Sequence, residues 1–584
     1  MARLPSEKAE EFSVCFRQKW MLPASVSNFD SSQILSSVIS RGGFLQLRSR
    51  NAKFHLSSLD PASATGPDGI STVLLRNVGS TICRAFAVLA RRIVDTGIWP
   101  KIWKTHWVCP LHKKGPRSDA KNYRGLQITS QMSKAMERFL GMHFLNHLSF
   151  SGSFGSSQFA YRKFHGARDA VLFVTLTWLL AFALGNKIGV NCSDVAGAFG
   201  RVSTEKLIAK TRRSVIHSGI AKVIENWLID RVGQVIVQGC TSAEFILRNM
   251  CFQGTVWGPS LWNLFFSDAP LALRKCAFKE IMYADDLNAY RVFTNGTSND
   301  FVLGQLRRCQ LELHEWGAAN SVTFEQTKES FHILSHSQGY GDPFRLLGVT
   351  FDIQLSMGTA VSECSIESHW RLSSLLRSRR FFSVYDIVLH YKAHILSFLE
   401  YRTCAITHAA DTHLIGLDSV QRKFLRNISV SPVDALQVFN LAPLSSRRDI
   451  ANLGIIYRAL FRKGPKQLQT FFECDVATRR SSPRFSSHNF QVKDNTRQLH
   501  KDFLNRSTFG YVAIFNLLPA SVFTSPEYDN IIPVNEFQKN LNRLLKFVSC
   551  VDACWESLFN PRVEIYNHMI RDFQHVSREH LLSQ

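Results

Sequence analysis

An α+β fold is predicted for this chain, with a small antiparallel sheet backed by helices and a largely helical second half. Three observations predict it. Apolar segments between residues 187 and 352 alternate strand–helix–strand–strand–helix–strand, the order of a split βαβ unit. The stretch IMYADDLNAY (281–290) reads as a hairpin with Asp285 and Asp286 at its turn, its arms supplied by Ile281, Met282, Tyr283, Ala289 and Tyr290. Beyond residue 360 the apolar spacing is helical, as in HYKAHILSFLEYR (390–402) and DSVQRKFLRNIS (418–429).

Composition narrows the function classes. The 584 residues carry 69 Lys+Arg against 46 Asp+Glu, a net charge of +23, which favours a polyanionic partner and nucleic acid before a membrane surface. The 13 cysteines are scattered and form no C-x-x-C, the usage of reduced thiols in an intracellular, non-secreted protein. Cys550 and Cys554, followed by His568, His575 and His580, fit a zinc knuckle poorly. A charged N-terminus (Arg3, Glu7, Lys8, Glu10, Glu11) lacks signal-peptide character. The longest apolar run, VLFVTLTWLLAFAL (171–184), is too short to span a bilayer, and Gly185-Asn186 ends it, so a buried helix is expected there and no membrane partner.

The elements follow in order. EKAEEFSVCFRQKW (7–20) shows helical periodicity, and GPDGIS (66–71) is a turn opening a helix at Val73–Leu75. An aromatic-rich strand over Trp103–Leu111 enters a loop holding Lys113, Lys114, Arg117, Lys121 and Arg124, cations suited to close over a triphosphate. QFAYRKFHGARDA (158–170) interleaves basic and aromatic residues, a pattern that suits nucleic acid or an ordinary helix start. The strand KIGVNC (187–192) leads to Asp194, with Phe199 five residues on and a helix from about Thr204. Strands are expected around 232–239 and 245–249. Gln253-Gly254 and Gly258-Pro259 then break the chain where backbone could approach a substrate closely.

After the acidic hairpin, 301–320 is an amphipathic helix. SVTFEQTKESFHILS (321–335) reads as strand, Lys328, then strand, and FRLLGVTFD (344–352) as a tight hairpin. Serines at the start of 445–463 suit a helix cap. Two adjacent aspartates at a turn repel one another unless a hard divalent cation lies between them, and a strand-terminal Asp194 alongside would complete a trio of oxygen donors.

This series resembles the reverse transcriptases of non-LTR (LINE-like) retrotransposons over about residues 60–360, more faintly to 463 and at 506–545. The motifs occur in that family's order: GPDGIS, KKG…NYR (113–124), DVAGAFGRV (194–202), FQGTVWGPSLWN (252–263), YADD (283–286), TKES (327–330) and LLGV (346–349). The resemblance implies a right-hand polymerase whose split βαβ sheet is the palm. Its domains would be a helical leader at 1–60, fingers and palm at 61–357, a helical thumb at 358–463, a linker at 464–505 and an α-rich extension at 506–584. It implies an RNA-directed DNA polymerase, a nucleotidyltransferase extending a DNA primer on an RNA template with deoxynucleoside triphosphates. Asp194, Asp285 and Asp286 would hold two Mg²⁺ ions, with Mn²⁺ as a substitute. Lys113 and Arg124 would bind the triphosphate, Phe199 would exclude a 2′-hydroxyl, Gln253 and Gly254 would line the templating pair, and Lys328 would protonate pyrophosphate. Nuclear action is implied by the same likeness, whereas oligomeric state is not.

Gly200 stands where many relatives have a second Asp, and Gly125 where many have Pro, which reads as drift in a decaying copy. The leader is too short for the family's endonuclease domain and no RNase H-like acidic set follows residue 463, so a truncated product is expected. Two other readings stay open: a decayed remnant that only binds RNA or template–primer duplex, and an intron-maturase-like protein.

Overall fold

A computed structural model describes residues 4–23, 45–214, 216–474, 488–528, 531–562, 570 and 573. It is a mixed α+β structure with three small sheets. In the first, β1 (Thr105–His112) pairs antiparallel with β2 (Tyr123–Ile128), in a register that sets Pro110 opposite Gly125. β3 (Lys187–Asp194) belongs to the second sheet. β4 (Arg231–Val237) runs parallel to β1 and carries β5 (Cys240–Thr241) and β6 (Phe245–Leu247) antiparallel to itself. The second sheet is completed by β7 (Lys279–Tyr283), β8 (Asp286–Phe293) and β9 (Ser330–Leu334), in the order β7–β8–β3–β9. The third is the hairpin β10 (Phe344–Leu346) and β11 (Val349–Phe351), where Leu347 and Gly348 both adopt positive φ, as a two-residue turn demands.

By its contacts the chain forms two compact units. One comprises residues 1–162, 191–290 and 304–330. Its core includes Trp99, Trp227, Trp257 and Trp262, all fully buried, and beneath the first sheet lies a polar network. Glu137 accepts from the indole N–H of Trp227 (3.2 Å) and the backbone N–H groups of Val256 (2.7 Å) and Trp257 (3.3 Å). Arg231 contacts His106, which in turn bonds Gln127 (3.1 Å). Burial, repelling charge, pushes the Arg231 guanidinium down to about 9 and the Glu137 carboxyl upward.

The other unit comprises 163–190, 291–303 and 331–584. Here the run expected as a buried helix forms Ala167–Ala183, buried on nearly every face, and Gly185 at φ +74° ends it. The helices Gly358–Arg377, Asp411–Asn427, Leu444–Leu460 and Val534–Ser549 follow, while residues 392–396 make a π-turn inside the helix expected at 390–402. No helix among the described residues is long and apolar enough to cross a membrane.

Some local expectations differ from the structure. Ser445 and Ser446 do not cap their helix: Pro443 precedes its first turn, and the Ser446 hydroxyl donates instead to the Glu556 carbonyl (2.8 Å). Residues 321–325 make no strand. β3 ends at Asp194 and the chain bends into the 3₁₀ turn Ala198–Gly200, so only Val195 and Phe324 bridge there. Residues 475–487 of the expected linker, and the histidines 568, 575 and 580 weighed as zinc ligands, lie outside the described residues.

Candidate active site

The acidic hairpin forms with the turn at Ala284-Asp285, and Tyr283 pairs with Asp286 across it. Two-residue hairpins need positive φ, and Ala284 takes it (+58°) at a strain of roughly 1 kcal/mol. Its peptide is clamped. The fully buried Gln158 accepts from the Ala284 N–H (2.9 Å) and donates to its carbonyl (3.2 Å), where the Trp262 indole N–H also donates (2.9 Å). At roughly 1 kcal/mol each, three such bonds outweigh the strain. The outer edge of β7 is also covered, as the Phe159 N–H donates to the Met282 carbonyl (2.9 Å) and the Met282 N–H to the Ser157 carbonyl (3.0 Å). The turn is therefore rigid before any ligand arrives.

Asp194 ends β3, its carbonyl accepting from the Glu325 N–H (2.8 Å), and its carboxylate is ion-paired with Lys328. Burial raises the Asp285 carboxyl, with the Asp194 charge adding to it, while its own backbone N–H, Arg124 and Lys113 pull it down. Asp286 is pushed up to about 6, by burial first and then by Asp285 and Asp194, with Lys328 opposing. These three carboxylates thus sense one another. Among the described residues no three His, Cys, Asp or Glu side chains converge into a metal cage, and Asp194 is ion-paired with Lys328. The donor set nonetheless fits a hard divalent ion: all are oxygen ligands, and the mutual repulsion on Asp286 is what such an ion would relieve.

Cations face the acids. Lys113 follows β1, its N–H bonded to the Asn122 carbonyl (2.8 Å), and Arg124 is exposed on β2. The Lys113 ammonium is lowered by partial burial and then by Arg124, Lys328 and Lys114, with Asp194 opposing. Cations held close enough to repel one another form a receptor for a polyanion. Phe199 lies in the 3₁₀ turn after β3, its ring 5.3 Å from Trp262 and 6.0 Å from Tyr161. The Tyr161 phenol is raised by burial and then by the Asp285 charge, which sets Phe199 and the acidic turn in one neighbourhood. Gln253 is exposed, and its carbonyl accepts from the Gln127 N–H of β2 (2.9 Å). Gly254, at φ +110°, presses so closely on the Gln127 carbonyl that any Cβ would collide with it.

Sequence reasoning missed Gln158, Trp262 and Glu137. The segment 158–170 interleaves basic and aromatic residues, yet Arg162 donates to the carbonyls of Gly155 (3.0 Å) and Gln158 (3.1 Å), and Phe159 is core.

Residues 111–351 match the family model described as reverse transcriptase (RNA-dependent DNA polymerase). Among curated proteins, the chain is similar to the RNA-directed DNA polymerase from mobile element jockey of Drosophila melanogaster, 25% identical over 404 residues, covering 65% of this chain and 43% of that protein. A probable RNA-directed DNA polymerase from transposon BS of the same fly is 26% identical over 216 residues, 37% of this chain and 24% of the relative. A Pol polyprotein from the type-1 retrotransposable element R1 of Bradysia coprophila is 24% identical over 263 residues, 43% and 24%. The chain thus spans less than half the length of these relatives. Residues 111–351 are thus similar to a reverse transcriptase (RNA-dependent DNA polymerase) domain.

Proposed function

We propose that the chain is an RNA-directed DNA polymerase that extends a DNA 3′-hydroxyl along an RNA template. The observation that carries this reading is electrostatic. The Asp285 carboxyl is raised by burial first and then by Asp194, while Arg124 and Lys113 lower it, so acids and cations oppose each other across one small site. Reverse transcriptases generally depend on a divalent metal. Here Asp194, Asp285 and Asp286 would hold two Mg²⁺ ions, which supply charge stabilisation to the attacking and leaving oxygens. The chain's own groups do the rest. Lys113 and Arg124 bind the triphosphate, the arginine bidentately. Phe199 sits under the sugar, and Gln253-Gly254 lies beside the templating pair. Lys328, kept protonated by its bond to Asp194, is the group we assign to protonate departing pyrophosphate. The cationic helices beyond residue 357 grip duplex phosphates, so binding falls with salt and ignores sequence.

Primer extension on an RNA template with Mg²⁺ tests the reading: labelled primer is expected to lengthen only with deoxynucleotides. A chain that binds duplex but never lengthens the primer would refute it. Phe199→Ala should admit ribonucleotides, and unchanged sugar discrimination would remove that role.

A further inference from the structure

The two glycines that break the family pattern face one side chain in common, which Val108 joins at Gly125 (2.8 Å from a Cβ placed there). Trp20, just past the helix Pro5–Lys19, lays its indole against both. A Cβ on Gly125 would lie 2.8 Å from the indole Cζ2 and 3.0 Å from Cη2. One on Gly200 would overlap Cδ1 and lie 2.8 Å from Nε1. Neither site has room for a larger residue while the indole is there. Their neighbours matter more. Gly125 follows Arg124 on β2, where side chains alternate, so the glycine turns inward as the arginine turns to solvent. Gly200 follows Phe199 directly.

The indole is itself fixed. Phe16 stacks on it at 5.4 Å, Arg201 donates to the Lys19 carbonyl (2.7 Å), and the Lys19 ammonium donates to the carbonyls of Lys121 (2.7 Å) and Tyr123 (2.9 Å). The N-terminal helix is therefore strapped to the start of β2, the strand that carries Arg124, and beside the turn that carries Phe199, with Trp20 as the spacer between them.

We propose that Trp20 is a positioning residue for the incoming deoxynucleotide: it sets the gap between the triphosphate-binding Arg124 and the sugar-facing Phe199 without touching the nucleotide. This rests on the polymerase reading. Gly125 and Gly200 are then fitted to the indole, so the departure from the family is a matched set of three residues and not decay.

The test is steady-state primer extension by the full chain carrying Trp20→Ala, Trp20→Phe, Gly200→Ala, or Trp20→Ala with Gly200→Ala. Trp20→Ala is expected to raise the deoxynucleotide KM about tenfold and to weaken rejection of ribonucleotides several-fold, with kcat and template–primer affinity nearly unchanged. Trp20→Phe should recover part of the loss. Gly200→Ala should raise KM in the parent but add little in the Trp20→Ala background, where the space is free. Equal KM and equal sugar discrimination in Trp20→Ala, or effects of the two substitutions that simply multiply, would overturn the proposal. A KM loss that Trp20→Phe does not relieve would count against spacing in the same way. If the parent makes no product, the polymerase reading falls and takes this role with it; product with an unmoved KM sinks the positioning role alone.

Discussion

Two aspartates, Asp449 buried and Asp286 half-buried, one in each unit, are both pushed above the usual carboxylate range, by burial first in each case and by different neighbours after it. Asp449, in the helix Leu444–Leu460, rises to about 7 through burial, and it has what a buried acid needs: the Tyr511 hydroxyl donates to it at 2.6 Å. Its neighbour Arg448, which also draws the Asp449 carboxyl down, makes a bidentate pair with Asp418 (2.6 and 2.8 Å), whose charge raises it slightly. Asp286 rises to about 6 through burial and then through two other acids, with only Lys328 opposing. A displaced pKa alone does not mark a site. Displacement to which two neighbouring acids add, opposed by Lys328 and by no hydroxyl donor, is the pattern that separates Asp286 from Asp449.

The contrast is broken most severely at the turn. Asp285→Ala should abolish primer extension, by a thousandfold or more, with template–primer affinity within about threefold of the parent; an active variant would contradict the carboxylate assignment. Asp449→Asn, by comparison, keeps an acceptor for Tyr511 and should leave extension intact per folded molecule. Next comes the clamp: Gln158→Ala removes two bonds to the Ala284 peptide and should lower kcat about 10- to 100-fold, measured beside an unchanged melting profile of the other unit. Tyr511→Phe strands a buried carboxylate and should destabilise by about 1–3 kcal/mol in denaturant unfolding, without altering kcat.

The smallest effect is the most discriminating. Both acids have folded pKa values above their unfolded ones, so each contributes stability at low pH that is lost as pH rises through the folded value, from about 4 to 6 for Asp286 and to about 7 for Asp449. Millimolar Mg²⁺ should restore the Asp286 share alone. The melting temperature should therefore rise with Mg²⁺ at pH 8 and hardly at pH 5, and Asp286→Asn should erase the difference. An equal Mg²⁺ shift at both pH values would argue against a cation at this turn.

Much of this was legible in the sequence because it is local. The hairpin at 281–290 follows from alternation around a short turn, and Asp194 from a strand ending in an acid. The positive φ of Ala284 was not legible, since alanine carries no mark of it and its support comes from Gln158 and Trp262, distant in sequence. Nor was the parallel pairing of β4 with β1, which joins residues more than a hundred positions apart. Gly125 and Gly200 misled for the same reason. Read in their own segments they look like losses, and only the contact with Trp20 makes them complementary.

That contact has a practical side. A chain begun after residue 23 would keep all three acids and the cations assigned to the triphosphate, yet carry an indole-shaped slot under its nucleotide pocket. In a Trp20→Gly variant, free indole added to the assay is the natural plug for that slot, and a small aromatic that binds it out of register would throttle synthesis from behind the site.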